Sequence, residues 1–194
     1  MSRLATAAAL AAYGLLTVTA CGEADPDQGD RDEVSAKFAD PDGKAVGTVE
    51  IEEDDRATQI SVRVNGLSAG YHGFHVHTTG KCQPDSAAPD DPGKTGDFLS
   101  AGGHLNPDDS AHGEHLGDLP ALLVNADGTA TLEFTGPFTL ADLQDEDGSA
   151  VMIHAGRDNY ANVPDRYAPE GPDEDTAKTG DAGDRIACAV IRAG

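Results

Sequence analysis

The chain has 194 residues, 38% of them apolar and 23 of them glycine, enough for one domain of about 150 residues with its own core. Thirteen basic against 35 acidic residues give a formal net charge of −22. A surface of that sign repels nucleic acid and anionic lipid, which argues against both as partners of the folded domain.

Residues 1–20 read as a targeting segment. Arg3 supplies a positive start, and residues 4–20 are apolar and alanine-rich, short for a membrane span and followed at once by polar chain. A cleaved signal is expected. The junction Val18-Thr19-Ala20-Cys21 resembles a bacterial lipobox, which makes Cys21 the expected site of lipidation; the alternative is a conventional signal peptide that happens to carry a cysteine. Residues 22–32 (GEADPDQGDRD) are acidic and poor in apolar side chains, so 21–33 is expected to be a disordered tether and 34–194 the folded domain.

That domain reads as short strands. Residues 35–40, 45–53 and 57–67 are β-rich and partly alternating, joined by Pro41-Asp42-Gly43 and Asp54-Asp55-Arg56, both turn-like. A fourth strand is expected over 71–77, followed by 121–125, 129–134, 150–154 and 186–191. The prediction is all-β: eight strands in an antiparallel Greek-key sandwich or flattened barrel, without helix. An immunoglobulin domain is disfavoured because the chain has no tryptophan. Two long irregular segments remain, 78–120 and 155–184, and loops of such length in a compact domain are usually functional.

The histidines say what for. Residues 102–118, GGHLNPDDSAHGEHLGD, hold His104, His112, His115 and Asp118 among glycines and a proline that deny the run to helix or strand. Imidazole and carboxylate are the donors a closed tetrahedral zinc site takes. Upstream, GFHVH puts His75 and His77 two residues apart, hence on one face of a strand. Downstream, AVMIHAGRDNY ends an apolar strand on His154. Of seven histidines only His72 is left over, and it reads as an ordinary surface or packing residue.

Five motifs in order, GFHVH, SAGGHLNP, HGEHLGDL, IHAGRDN and GDAGDRIACAVI, resemble copper,zinc superoxide dismutase in its bacterial form, over essentially all of the folded part. The resemblance implies one copper per subunit on His75, His77, His104 and His154, and one zinc on His104, His112, His115 and Asp118, with His104 bridging the two. Such a division suits the metals, since Cu(II) favours near-square nitrogen ligation and zinc accepts a tetrahedral mixture. Asp158 matches the carboxylate that orients one histidine of each set. Arg185 matches the arginine that docks the anion beside copper, and Lys178, Glu174 and Asp175 match the charged residues that steer it. Asp184 is an acid where many relatives are neutral, a change that weakens the local field.

With Cys21 assigned to lipid, Cys82 and Cys188 remain in a chain expected to reach an oxidising compartment, and the resemblance implies that they pair. The implied activity is the dismutation of superoxide to dioxygen and hydrogen peroxide by alternate reduction and reoxidation of copper. In the family account His104 is protonated on its copper side after reduction and hands that proton to the departing peroxide. The implied setting is outside the cytoplasm, on the outer face of the cytoplasmic membrane or in the cell envelope, with the membrane touched only through a lipid on Cys21.

Two other classes fit less well. A metal-buffering lipoprotein would keep the histidines but have no use for Arg185 and its loop. A metal-dependent hydrolase needs a general base near its open site, and the segment 78–81 after His77 contains no acid. Bacterial members of the family include monomers and differently built dimers, so a homodimer stays open.

Overall fold

A computed structural model describes residues 32–55 and 57–192. Eleven strands run in chain order: β1 (Asp32–Ala39), β2 (Ala45–Glu53), β3 (Thr58–Val64), β4 (Gly70–His72), β5 (Phe74–His77), β6 (Ser86–Ala87), β7 (Thr95–Gly96), β8 (Leu122–Val124), β9 (Ala130–Gly136), β10 (Ser149–His154) and β11 (Arg185–Ile191). Seven form one antiparallel sheet in the order β5-β10-β11-β1-β2-β3-β9. The ribbon β4–β8 links its two edges, because β4 runs on into β5 and β8 leads into β9. The result is the curled, flattened Greek-key barrel expected from the strand pattern.

The expected fourth strand over 71–77 is two. It breaks at Gly73, whose carbonyl accepts from His154 N at the end of β10 (2.8 Å) and whose N–H donates to Gly156 O in the loop beyond it (2.7 Å). The remaining additions, β6 and β7, are a two-residue pair inside the first long loop. Asp32 and Glu33, counted with the tether, begin β1 and pair with Glu53 and Glu52. The signal at 1–20 and Cys21 lie outside the described residues.

Helix is also present, against expectation. Helix α1 (Leu140–Leu143) opens on a capping box in which Thr139 accepts from Asp142 N while the Asp142 carboxylate accepts from Thr139 N. Helix α2 (Glu174–Thr179) lies in the second long loop, capped by Asp173 at its start and by Gly180 (φ 59°) at its end. At four and six residues, both are too short to show helical periodicity in a sequence.

Alternation along β5, β10 and β11 divides the packing. Phe74, Val76, Val151, Ile153, Ala187 and Ala189 face the barrel interior and join the main core with Phe38, Val49, Ile60 and Leu122. From the opposite face, Ala150, Met152 and Cys188 pack with Phe98 and Ala101 in a smaller core beneath the 78–120 loop. In register, His77 pairs with Ala150 and His75 with Met152, which puts both imidazoles on that outer, loop-covered face. Cys82 and Cys188 are joined in a disulfide across 106 residues, tying the loop to β11.

Candidate metal centre

Strand β5 is an edge strand, and the first long loop occupies its free side. Leu105 N donates to Val76 O (2.8 Å), Val76 N to Gly117 O (2.8 Å) and Thr78 N to Gly103 O (3.1 Å). These bonds satisfy an edge that would otherwise invite strand pairing. They also carry His104 to a bridge position opposite His77, and Asp118 opposite His75.

Two groups of four side chains result. The ligand atoms of His75, His77, His104 and His154 lie within 4.8 Å of one another, and so do those of His104, His112, His115 and Asp118. Hydrogen bonds to atoms that can only accept fix most of the ring orientations. His77 Nδ1 donates to Gly102 O (2.9 Å) and His154 Nδ1 to Gly183 O (3.0 Å), leaving their Nε2 atoms 3.4 Å apart with lone pairs facing inward. His75 Nε2 donates to Asp158 Oδ2 (2.6 Å), and His112 Nε2 donates to Asp158 Oδ1 (2.8 Å). On the other side Asp118 Oδ1 lies 3.0 Å from His104 Nδ1 and 3.3 Å from both His112 Nδ1 and His115 Nδ1. Its Oδ2 is held by the N–H groups of Gly113 (2.7 Å) and His115 (3.1 Å).

Among the described residues, two buried side-chain nitrogens have no hydrogen-bond partner: His75 Nδ1 and His112 Nδ1. Each belongs to one of the two groups. A buried imidazole nitrogen without a partner loses about 1–3 kcal/mol unless something else takes its lone pair, and the donors converging here are those a transition-metal cation accepts. The residues fit metal.

Residues 45–191 match the family of copper/zinc superoxide dismutases. The chain belongs to that family. A copper-zinc superoxide dismutase of Mycolicibacterium paratuberculosis is 45% identical over 163 residues, covering 79% of this chain and 71% of that protein. The Escherichia coli K12 enzyme of the same name is 39% identical over 156 residues, covering 77% and 80%. Among solved structures, the Cu/Zn superoxide dismutase of Brucella abortus is similar at 34% identity and a TM-score of 0.64, covering 82% of this chain and 99% of that one.

In this dismutase family member, charge around the groups is strongly organised. Burial pushes His104 down to about 4, and Asp118 offsets only part of that. Burial, with the nearby Arg185 cation, also holds His77 well below the ordinary histidine value, and burial with the neighbouring His75 does the same to His154. His112 goes the other way: burial opposes its protonation, but the carboxylates of Asp118, close to Nδ1, and Asp158, bonded to Nε2, outweigh it and raise His112 to about 9. Both aspartates would be raised by burial alone, yet their imidazole partners hold them well below the carboxylate range.

Arg185 starts β11, where it pairs with His154. Its guanidinium donates to Phe98 O (2.7 Å) and Gly102 O (2.6 Å). Gly102 O therefore accepts from both Arg185 and His77, so one carbonyl positions the cation and an imidazole together. Burial pushes Arg185 down to about 10, which leaves it charged at neutral pH. Of the residues expected to steer anions, Lys178 and Glu174 pair with each other on the exposed side of α2.

Some members of the site had no signature in the sequence. The carbonyls of Phe98, Gly102 and Gly183 act through backbone, which any residue type supplies. Gly180 is required by space: a Cβ there would meet Asp158 Oδ1 and His112 Nε2, and its φ is +59°. The motif GDAGDR contains this glycine but does not reveal what it touches. His72 is buried, with its ring nitrogens against His154 O (2.7 Å) and Ser68 O (2.9 Å), so the packing reading fits and the surface reading does not.

Proposed function

We propose that the chain dismutates superoxide at a copper held by His75, His77, His104 and His154, next to a zinc held by His104, His112, His115 and Asp118. The observation that carries this reading is His104. It belongs to both groups of four, with Nδ1 toward Asp118 and His115, which leaves Nε2 for the other group. Copper, when bound, supplies the one-electron couple that oxidises one superoxide and reduces a second. His104 Nε2 is the atom that carries a proton on the copper side, while the zinc side fixes the ring through Nδ1. Asp158 keeps the Nε2 protons of His75 and His112 in place and so aims their Nδ1 lone pairs. Arg185, held by two carbonyls, binds the anionic substrate.

Metal analysis with superoxide turnover tests the assignment. One copper and one zinc per chain are expected, and turnover should require copper. A copper-only protein with full turnover would overturn the zinc assignment; a metal-loaded protein without turnover would overturn the activity.

The setting is part of the proposal. Export and lipid anchoring are supported by the apolar segment 1–20, by Cys21 after small residues, and by the Cys82–Cys188 disulfide, a bond of oxidising compartments. Cys21→Ser should move the protein from the membrane fraction to the soluble exported fraction. Unchanged membrane association would remove the anchor.

A further inference from the structure

The motif IHAGRDNY ends on a tyrosine for which the dismutase reading has no use. Tyr160 is half-exposed, yet four sets of contacts converge on it. Its N–H donates to Asp158 Oδ1 (2.7 Å), the oxygen that also accepts from His112 Nε2. Its ring lies parallel to the His112 imidazole, 10° between planes and 6.4 Å between centroids, within the range of offset aromatic pairs. Its hydroxyl donates to Leu119 O (3.2 Å) and accepts from Ala121 N (2.9 Å), gripping the chain just beyond Asp118. Its carbonyl lies against Gly113, where a Cβ would come within 2.8 Å and φ is +90°. Tyr160 reaches all four through a left-handed backbone (φ 54°), which bulky residues rarely adopt and which persists when the surroundings over-determine it.

We propose that Tyr160 is a positioning residue for the zinc side of the site, a clamp that closes the segment carrying His112, His115 and Asp118 onto Asp158. It touches no substrate and holds no metal. It acts by fixing the plane of the His112 ring and the exit of the ligand-bearing segment, so its effect falls on how long zinc stays. The inference rests on the zinc assignment above and adds a residue to it.

The test measures zinc release from the copper- and zinc-loaded, disulfide-intact protein into excess chelator, for the wild type, Tyr160→Phe, Tyr160→Ala and Ile60→Val. Ile60→Val trims the core in β3, remote from the site in the sheet order, and controls for general loss of stability. Tyr160→Ala should release zinc about 10–100-fold faster, the usual effect of removing a partner of a metal ligand. Tyr160→Phe keeps the ring but not the hydroxyl bonds and should fall between it and the wild type. With cobalt in the zinc position, the visible ligand-field bands of Tyr160→Ala should shift, whereas those of Ile60→Val should not. Wild-type release rates in both Tyr160 variants would overturn the proposal, as would equal acceleration in Ile60→Val at the same loss of melting temperature. If Tyr160→Ala does not fold, Tyr160→Phe decides alone. A wild type that binds no zinc would overturn the metal assignment itself, an outcome separate from wild-type zinc that the Tyr160 variants fail to loosen.

Discussion

His104 and His112 both approach Asp118, yet their protonation is pushed in opposite directions, to about 4 and about 9. Burial is the larger influence on His104, and at His112 a second carboxylate overcomes it. His112 spans Asp118 and Asp158, whereas His104 has Asp118 alone and is surrounded by other imidazoles. In the metal-free protein at neutral pH, His104 is therefore neutral and ready, while His112 carries a proton that zinc must displace from Nδ1. Zinc binding should release about one proton from His112 near pH 7.5, and this contribution should vanish above about pH 9. Below that point each unit of falling pH should lower zinc affinity about tenfold through His112. Zinc titration of metal-free protein in weak buffer reads both quantities, and an affinity flat between pH 7 and 9 would contradict the assignment of His112. At this scale the two converging groups were legible in the sequence because imidazoles crowded among glycines have few other uses. The groups that aim them were less legible: Asp158 was found only through resemblance, and the Gly102 and Gly183 carbonyls not at all.

Strand β5 and the 78–120 loop form one working unit, since the strand supplies two imidazoles and the loop both covers its edge and returns His104 to it. The disulfide pins that unit to β11, beside Phe98 and Met152. Closing 106 residues restricts the unfolded chain by about 4–5 kcal/mol in the loop-entropy account. Phe98 packs near the bridge and gives its carbonyl to Arg185, so reduction should also loosen the arginine. Reduced, metal-loaded protein should melt well below the oxidised form and bind azide, an anion probe, more weakly; equal melting temperatures would show that the bridge adds nothing to stability. Strands were legible as elements because β-rich, alternating runs sit between turn residues. Their subdivision was not, since the break at Gly73 follows from hydrogen bonds to the end of β10 and the loop beyond it. Helices α1 and α2 escaped because neither completes two turns, although the Thr139–Asp142 box was readable as a start signal.

Over the whole molecule, a net charge of −22 must let an anion in. Arg185, taken at about 6 Å from the substrate with an effective dielectric constant of about 20, attracts it by roughly 3 kcal/mol. Twenty-two net charges placed crudely at about 20 Å in water repel it by roughly 4.6 kcal/mol before screening. Screening with a Debye length of about 8 Å cuts the repulsion to roughly 0.4 kcal/mol, while at about 30 Å, in 0.01 M salt, roughly 2.3 remains. Local attraction thus dominates at physiological salt, whereas in dilute buffer most of it is cancelled and encounter is slowed. The second-order rate constant should rise or stay level from about 0.01 to 0.15 M salt and fall beyond, as Arg185 is itself screened. Arg185→Leu should lower the rate at every salt concentration and keep only the rising limb. A steep fall starting from the lowest salt would remove the global repulsion, and a fully active Arg185→Leu would remove the arginine from the site.

The two faces of β5 have a consequence for how a correctly made molecule is told from a faulty one. A slip of one residue against β10 would turn Phe74 and Val76 toward the loop and drive His75 and His77 into the hydrocarbon interior. Such a molecule would lose its core and half of the proposed copper ligands in the same error. Pairing register and cofactor capture are written into alternate positions of the same four residues, so occupancy by metal certifies the weave of the barrel: a misthreaded copy has no means of passing as finished.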